Sequence, residues 1–199
     1  MGAPVTYSLP LFPLQTVLFP GGRLPLKIFE QRYLDLMKDC LARDRAFGIC
    51  ALRAGQEVGE PATPFEVGTQ ARIIHWDMAQ PGIFHVQVEG IERYVARKWR
   101  PQHNGLIVAD VDNITPEPAM AVTDDLRLAV DVLKQIIEDA GDKHFSPERH
   151  FDDAVWVGFR LAEVLPFKLS IKQNLLEMND SLTRLRILAE FLRKQGRSP

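Results

Sequence analysis

The chain has 199 residues, 46% hydrophobic and 25% charged, which suits a packed core under an ordinary globular surface and excludes a disordered chain. Its 24 basic and 26 acidic side chains leave a net charge of −2, so the strong basic excess that drives phosphate-backbone binding is missing. No apolar run reaches the roughly 20 residues of a membrane-spanning helix, and the Met1-Gly-Ala-Pro start has no basic-then-apolar leader, so a cytoplasmic location is expected.

Residues 1 to about 115 read mostly as strands. Arg23 to Ile28 alternates, with Leu24, Leu26 and Ile28 on one face, and Pro25 makes it an edge strand because proline cannot donate to an interior ladder. A helix is expected from about Phe29 to Leu41, with Phe29, Tyr33, Leu36, Met37, Cys40 and Leu41 at three- and four-residue spacing. Ala46 to Leu52 is apolar on both faces and reads as a buried strand. Ala54 to Pro64 is a loop rich in glycine, proline and acid. Cys40 on the helix and Cys50 in the strand form neither a CxxC clamp nor a disulfide framework and read as free, buried thiols.

Thr69 to Met78 and Ile83 to Val88 flank the turn-type tetrapeptide Ala79-Gln-Pro-Gly82 and predict a long hairpin. Ile74, Trp76 and Met78 share a face of one arm; Phe84, Val86 and Val88 share a face of the other. Gly90 suggests a bend or bulge, after which Arg93 to Trp99 and Leu106 to Val111 supply two more strands. So many short strands imply a barrel or a strongly curved sheet.

Asn113 to Pro118 is a linker, dividing the chain at 118/119, and the period then becomes helical. Thr123 caps a helix with the stripe Leu126, Val130, Leu133, Ile136 and Ile137, ended by Gly141. Ser146-Pro-Glu148 predicts a second helix start, with Leu165-Pro166 as its stop. Ser170-Ile-Lys-Gln173 reads as a capping box for a third. Asn179 or Asp180 caps a fourth, with Leu182, Leu185, Leu188, Ala189 and Leu192 inward.

The chemical motifs are mostly absent. There is no Walker loop, no Gly-x-Gly-x-x-Gly and no Gly-x-Ser-x-Gly. Ser170 lies near Lys168 and Lys172, but its helix-capping position explains it better than a serine–lysine dyad. His144, His150, Asp152 and Asp153 match no metal spacing, and His75 and Asp77 read as the outward face of the hairpin. No catalytic residue, metal ligand or cofactor is therefore expected. Basic residues gather in two places. Arg93, Arg97, Lys98 and Arg100 surround Trp99, an arrangement able to stack a base and hold phosphates. Arg184, Arg186, Arg193, Lys194 and Arg197 follow the last helix and suit its dipole.

Leu9-Pro-Leu-Phe-Pro-Leu-Gln-Thr-Val-Leu-Phe-Pro-Gly21, followed by Leu24-Pro-Leu-Lys-Ile-Phe-Glu-Gln-Arg-Tyr33, resembles the opening of the amino-terminal domain of Lon-type ATP-dependent proteases and of free-standing Lon-domain proteins. Val67-Gly-Thr-Gln-Ala-Arg-Ile-Ile74 with Val86-Gln-Val-Glu-Gly-Ile-Glu-Arg93 resembles its central sheet. Phe159-Arg-Leu-Ala-Glu-Val-Leu-Pro166 through Lys172-Gln-Asn-Leu-Leu-Glu-Met-Asn-Asp180 resembles the helical part that follows. The resemblance implies an α+β chain: a PUA-like pseudo-β-barrel with one interposed helix over residues 1–118, then a small helical bundle of four helices over 119–199. It also implies recognition of proteins without the ATPase and serine–lysine peptidase parts.

The expectation is a non-catalytic module that binds unfolded or exposed apolar protein segments, or a protease or chaperone partner. Trp76, Met78 and Phe84 near the hairpin end are its candidate contacts, since Met and aromatic side chains suit promiscuous binding. The opening prolines and glycines, Pro10, Pro13, Pro20, Gly21 and Gly22, are expected to set turns, and Glu30 and Arg32 to pair locally. The alternative is an RNA-binding PUA-like protein using Arg93, Arg97, Lys98, Trp99 and Arg100, an analogy at the level of fold.

Overall fold

The computed structural model describes residues 6–57, 63–141 and 145–195. His144, Arg197 and part of the expected 54–64 loop lie outside them. The chain forms two compact units, Met1–Thr115 and Pro116–Pro199.

The first unit holds β1 (Tyr7–Leu14), β2 (Arg23–Ile28), α1 (Gln31–Arg43), β3 (Phe47–Ala54), β4 (Thr63–Gln80), β5 (Ile83–Pro101) and β6 (Ile107–Asn113). β2 keeps its expected bounds and lies at the end of the strand order β2-β5-β4-β3-β1-β6. An added pairing of β5 with β6 closes β1, β3, β4, β5 and β6 into a pseudo-barrel, which leaves β2 outside the ring. Both ring closure and the sixth strand depend on the length of β5. Its first part, Phe84 to Glu89, carries β2, and its last part, Tyr94 to Pro101, carries β6.

Gly90 sits where those two duties change over. Its N–H donates to Gly22 O at 2.9 Å and its carbonyl accepts from Gly21 N at 2.8 Å. A Cβ there would fall 2.4 Å from the carbonyl oxygen of Phe19, so the close approach of two backbones requires glycine. The expected irregularity is present as a register shift between Thr69 and Ala71 on the facing strand. The strand bends without ending, so Arg93 to Trp99 continues β5 and is not a separate strand.

β1 departs from the expectation of turns at Pro10 and Pro13. The strand exists because each proline lies where only one side is laddered. Tyr7 to Leu11 pairs antiparallel with β6, and Leu11 to Leu14 pairs parallel with β3. Neither half needs donors on both edges at once. α1 begins two residues later than the pattern implied, and Phe29 stands outside it, 52% exposed, while Tyr33, Leu36, Met37 and Cys40 are buried. These four meet Phe47, Ile49, Val86 and Val88 in one core cluster. A second cluster gathers Leu9, Leu11, Cys50 and Val111 around Tyr94. Burial pushes the Cys40 thiol up to about 11 and the Cys50 thiol up to about 12, so neither is a ready nucleophile at neutral pH.

The second unit holds, among the described residues, a 3-10 turn (Asp124–Leu126), α2 (Arg127–Ala140), α3 (Ala154–Val164), α4 (Leu169–Glu177) and α5 (Ser181–Gln195). Thr123 and Gly141 flank the first helical segment as expected, though Thr123 gives the turn no side-chain cap bond. Ser146-Pro-Glu148 does not open a helix. α3 starts eight positions later, where the Asp153 carboxylate accepts from Val155 N at 3.0 Å, and that cap fixes the start. Ser170 likewise lies inside the first turn of α4, with Lys168 at the cap position and no side-chain cap bond. Lys172 donates to the Glu163 carbonyl at 2.7 Å, away from any dyad role. Asp180 caps α5 by accepting from Thr183 N at 2.9 Å.

Arg184 departs from the exposed basic stripe read along α5. It is fully buried and reaches Glu117 with Nη1 at 2.9 Å and with Nη2 at 2.8 and 2.9 Å. It also donates to Met178 O at 2.9 Å and lies 4.0 Å from the centre of the Phe159 ring. Gly158 makes room, since a Cβ there would come 3.2 Å from Arg184 Nε.

Candidate functional site

β4 and β5 are longer than the barrel requires. Pairing with β3 ends at Ala71, so residues 72–80 continue with β5 alone, turn at Gly82 (φ 79°), and return. With β2 on the far side of β5, the result is a three-stranded ribbon beyond the ring. Rows across it are set by register: Leu26, Val86 and Trp76 share one row, and Lys27, His85 and Asp77 the next. Opposed residues of an antiparallel pair point to one face, so Trp76 lies on the face that carries Val86 into the core.

The core does not extend far enough to cover it. An extra β4 residue between Ile73 and His75 shifts the register and turns the tip. Ile73 packs on the core cluster, whereas Trp76 remains 51% exposed and Met78 41% exposed. Phe84 is only 4% exposed. Its ring stacks under the Trp76 indole with centroids 5.3 Å apart and planes 10° from parallel. The three candidate contacts therefore divide: Trp76 and Met78 form the surface, and Phe84 is the buried floor that holds the indole flat.

The other face of the ribbon is polar. His75 and Asp77 are exposed there, as the alternation implied, beside Lys27 and His85. Glu89 accepts from Arg23 at 3.3 Å and from Arg72 at 2.7 Å. Phe29, which helical spacing places on the apolar stripe of α1, is a surface residue. It borders a groove of about 320 Å³ floored by Phe12, Leu14, Leu24, Leu26 and Tyr33, with Glu30 and Glu57 on the rim. Glu30 pairs with Arg32 at 2.9 Å, the local pairing expected, and Glu57 accepts from Gln15 N. Desolvation raises the Tyr33 phenol to about 12, so it stays neutral in that floor. Phe29 lies on the surface and not on the buried stripe because α1 begins only at Gln31, after it.

The residues of the alternative basic site all lie on β5, in differing surroundings. Arg93 is buried at 3% exposure. Arg97 binds Asp112 at 2.7 Å, and the bond from Thr6, followed by that from Arg97, holds the Asp112 carboxyl below its usual range. Arg100 lies 3.8 Å from Asp110, which is also the residue opposite Lys98. Trp99 packs partly buried against the Tyr94 cluster. β6 thus supplies acid beside Arg97, Lys98 and Arg100. Among the described residues no group of three or more His, Cys, Asp or Glu could hold a metal ion. No helix among them is long and apolar enough to cross a membrane.

Comparison with known proteins places this geometry. The family model described as "ATP-dependent protease La (LON) substrate-binding domain" matches residues 8–194. The solved Lon N-terminal domain protein from Xanthomonas campestris is 34% identical, with a TM-score of 0.77 over 92% of this chain and 96% of that one. The N-terminal domain of Lon protease from the Mycobacterium avium complex, 16% identical, shares the fold with a TM-score of 0.62 over 92% of this chain and 97% of that one. Lon protease 1 of Syntrophobacter fumaroxidans is 25% identical over 96% of this chain, which spans only 24% of that protease. Cereblon of Danio rerio is 28% identical over 58% of this chain and 28% of its own length.

Proposed function

We infer, from the fact that this chain belongs to the family of LON substrate-binding domains, that it is a non-catalytic module which holds exposed apolar segments of other proteins on its ribbon. The observation that carries the reading is the Trp76 indole, half exposed yet stacked flat on the buried Phe84 with Met78 beside it. An indole braced from below loses little side-chain freedom on contact, so its burial by a client is less opposed by entropy. The neighbouring thioether adapts to clients of different shape. The cytoplasm, where unfolded segments arise during synthesis, is the location that fits.

The chemistry of such a site is burial without bond making. A client contributes apolar area, and the polar reverse face of the ribbon, with His75, Asp77, Lys27 and His85, keeps the free module in solution. The testing experiment is a titration of a fluorescein-labelled, reduced and carboxymethylated unfolded protein with the purified chain, read by anisotropy. Saturable binding that weakens in Trp76→Ala and survives raised salt supports the reading. Binding that is indifferent to Trp76, or that collapses as salt rises, refutes it.

A further inference from the structure

The outer edge of β4 from residue 72 to 80 has no strand beside it among the described residues, because the ladder to β3 stops at Ala71. The direction of its backbone groups follows from the ladder. Gly90 N–H bonds to Gly22 O at 2.9 Å, and the β2–β5 register is unbroken from there, so Val88, Val86 and Phe84 exchange their bonds with β2. Gln87 and His85 then bond toward β4, where they face His75 and Asp77. Trp76, between those two, directs its own N–H and C=O outward. β2 is protected at its equivalent position by Pro25, which has no N–H to offer; β4 has no proline between Arg72 and Gln80.

The side chains along that stretch are self-complementary. If two copies meet antiparallel with Trp76 on the two-fold axis, His75 lies opposite the partner's Asp77 and Asp77 opposite the partner's His75. On the other face Ile74 meets the partner's Met78, and the two indoles lie side by side. Moving the axis one residue either way destroys the match, setting His75 against the partner's His75 or Asp77 against the partner's Asp77. One register therefore satisfies backbone, charge and apolar face together, as an isologous interface demands.

We propose that this chain self-associates through the exposed β4 edge into a two-fold dimer centred on Trp76, in which each His75 imidazole donates to the partner's Asp77 carboxylate. Two backbone bonds form at the axis, and the register shifts that bracket His75 to Asp77 limit pairing beyond it. So short an interface is of the small, reversible class. The dimer hides Trp76, so self-association and client capture compete; that consequence rests on the function proposed above, while the dimer itself does not.

Sedimentation velocity over protein concentrations from micromolar to about 1 mM tests it with four chains: wild type, His75→Asp, Asp77→His and the double swap H75D/D77H. Both positions are exposed, so the substitutions should leave the fold intact, which circular dichroism checks. The wild type is expected to show a monomer–dimer equilibrium. Each single variant, which opposes like groups, should weaken it roughly tenfold or more, and the swap should restore it within about threefold. Trp76→Cys should crosslink on mild oxidation, because a bonded antiparallel pair sets Cα atoms about 5.5 Å apart, within disulfide reach. His75→Cys should not. A wild type that stays monomeric at about 1 mM, singles that associate like wild type, or crosslinking at 75 in place of 76 overturns the dimer. Labelled unfolded protein, titrated at nanomolar to low-micromolar chain, separates the two readings. Client binding without a dimer overturns this proposal alone, and a dimer without client binding overturns only the proposed function.

Discussion

Trp76→Ala removes the element on which the proposed site depends, and its cost can be worked from the geometry. A tryptophan buries about 150–250 Å² when fully covered. At 51% exposure, on the order of 100 Å² remains for a client to cover. At about 25 cal/mol per Å² that area contributes roughly 2.5 kcal/mol, or a factor of about 60 in affinity. The fold loses the stack on Phe84, about 0.5–1.5 kcal/mol, and the buried half of the indole, roughly 2.5 kcal/mol more, a loss within the stability of an ordinary domain. Trp76→Phe keeps a ring on the Phe84 floor and should lose only part of the affinity. Phe84→Ala is unsuitable as a site variant: it deletes a core ring at a cost of about 3–5 kcal/mol and would lower binding by unfolding the ribbon. The assay is anisotropy of the labelled unfolded protein, with circular dichroism confirming that each variant is folded. A folded Trp76→Ala that binds within about threefold of wild type would refute the reasoning.

Three further outcomes follow from particular contacts. Glu117→Ala strands the buried Arg184 guanidinium and should destabilise the second unit by about 3–5 kcal/mol in urea melts, whereas the paired replacement Glu117→Leu with Arg184→Met should recover most of that loss. Gly90→Ala drives a Cβ into the Phe19 carbonyl at 2.4 Å and should cost at least about 1–3 kcal/mol, read as a lower midpoint of denaturation. The Asp180 carboxyl is held below its usual 3.8 by bonds from the Thr183 backbone and hydroxyl. Its contribution is present above the unfolded value and is lost as pH falls through the lowered folded value, so Asp180→Asn should flatten the acid limb of the stability–pH curve below about pH 4.

The parts of this fold legible in the sequence are those decided by neighbours along the chain. β2 and β3 follow from alternation and from a run of apolar residues, and the Gly90 irregularity from a glycine within a strand. What escaped depends on distant partners. β1 tolerates two prolines only because β6 ladders one half and β3 the other. The start of α3 passed from the attractive Ser146-Pro-Glu148 to Asp153, whose carboxylate also binds Met120 N at 3.1 Å. Along α5, Arg184 and Arg186 look alike in sequence, yet one is buried against Glu117 and the other exposed. The candidate contacts show the same division. Alternation placed Trp76, Met78 and Phe84 near one another, but which of them the core covers was decided by where β3 stops.

That stopping point links the fold to the site. Had β3 continued beside β4 past Ala71, the ribbon would be an interior part of the sheet and its edge would be fully bonded. The chain instead turns β4 through two register shifts, between Ile73 and His75 and between Asp77 and Gln80. Such irregularities are a usual means of blunting an edge against indiscriminate pairing. Between them lies a stretch too short to template a long strand and long enough to present one braced indole with its own free backbone groups. Limited edge and exposed aromatic are one solution: contact with extended chains is admitted over a few residues, and unlimited sheet growth is refused.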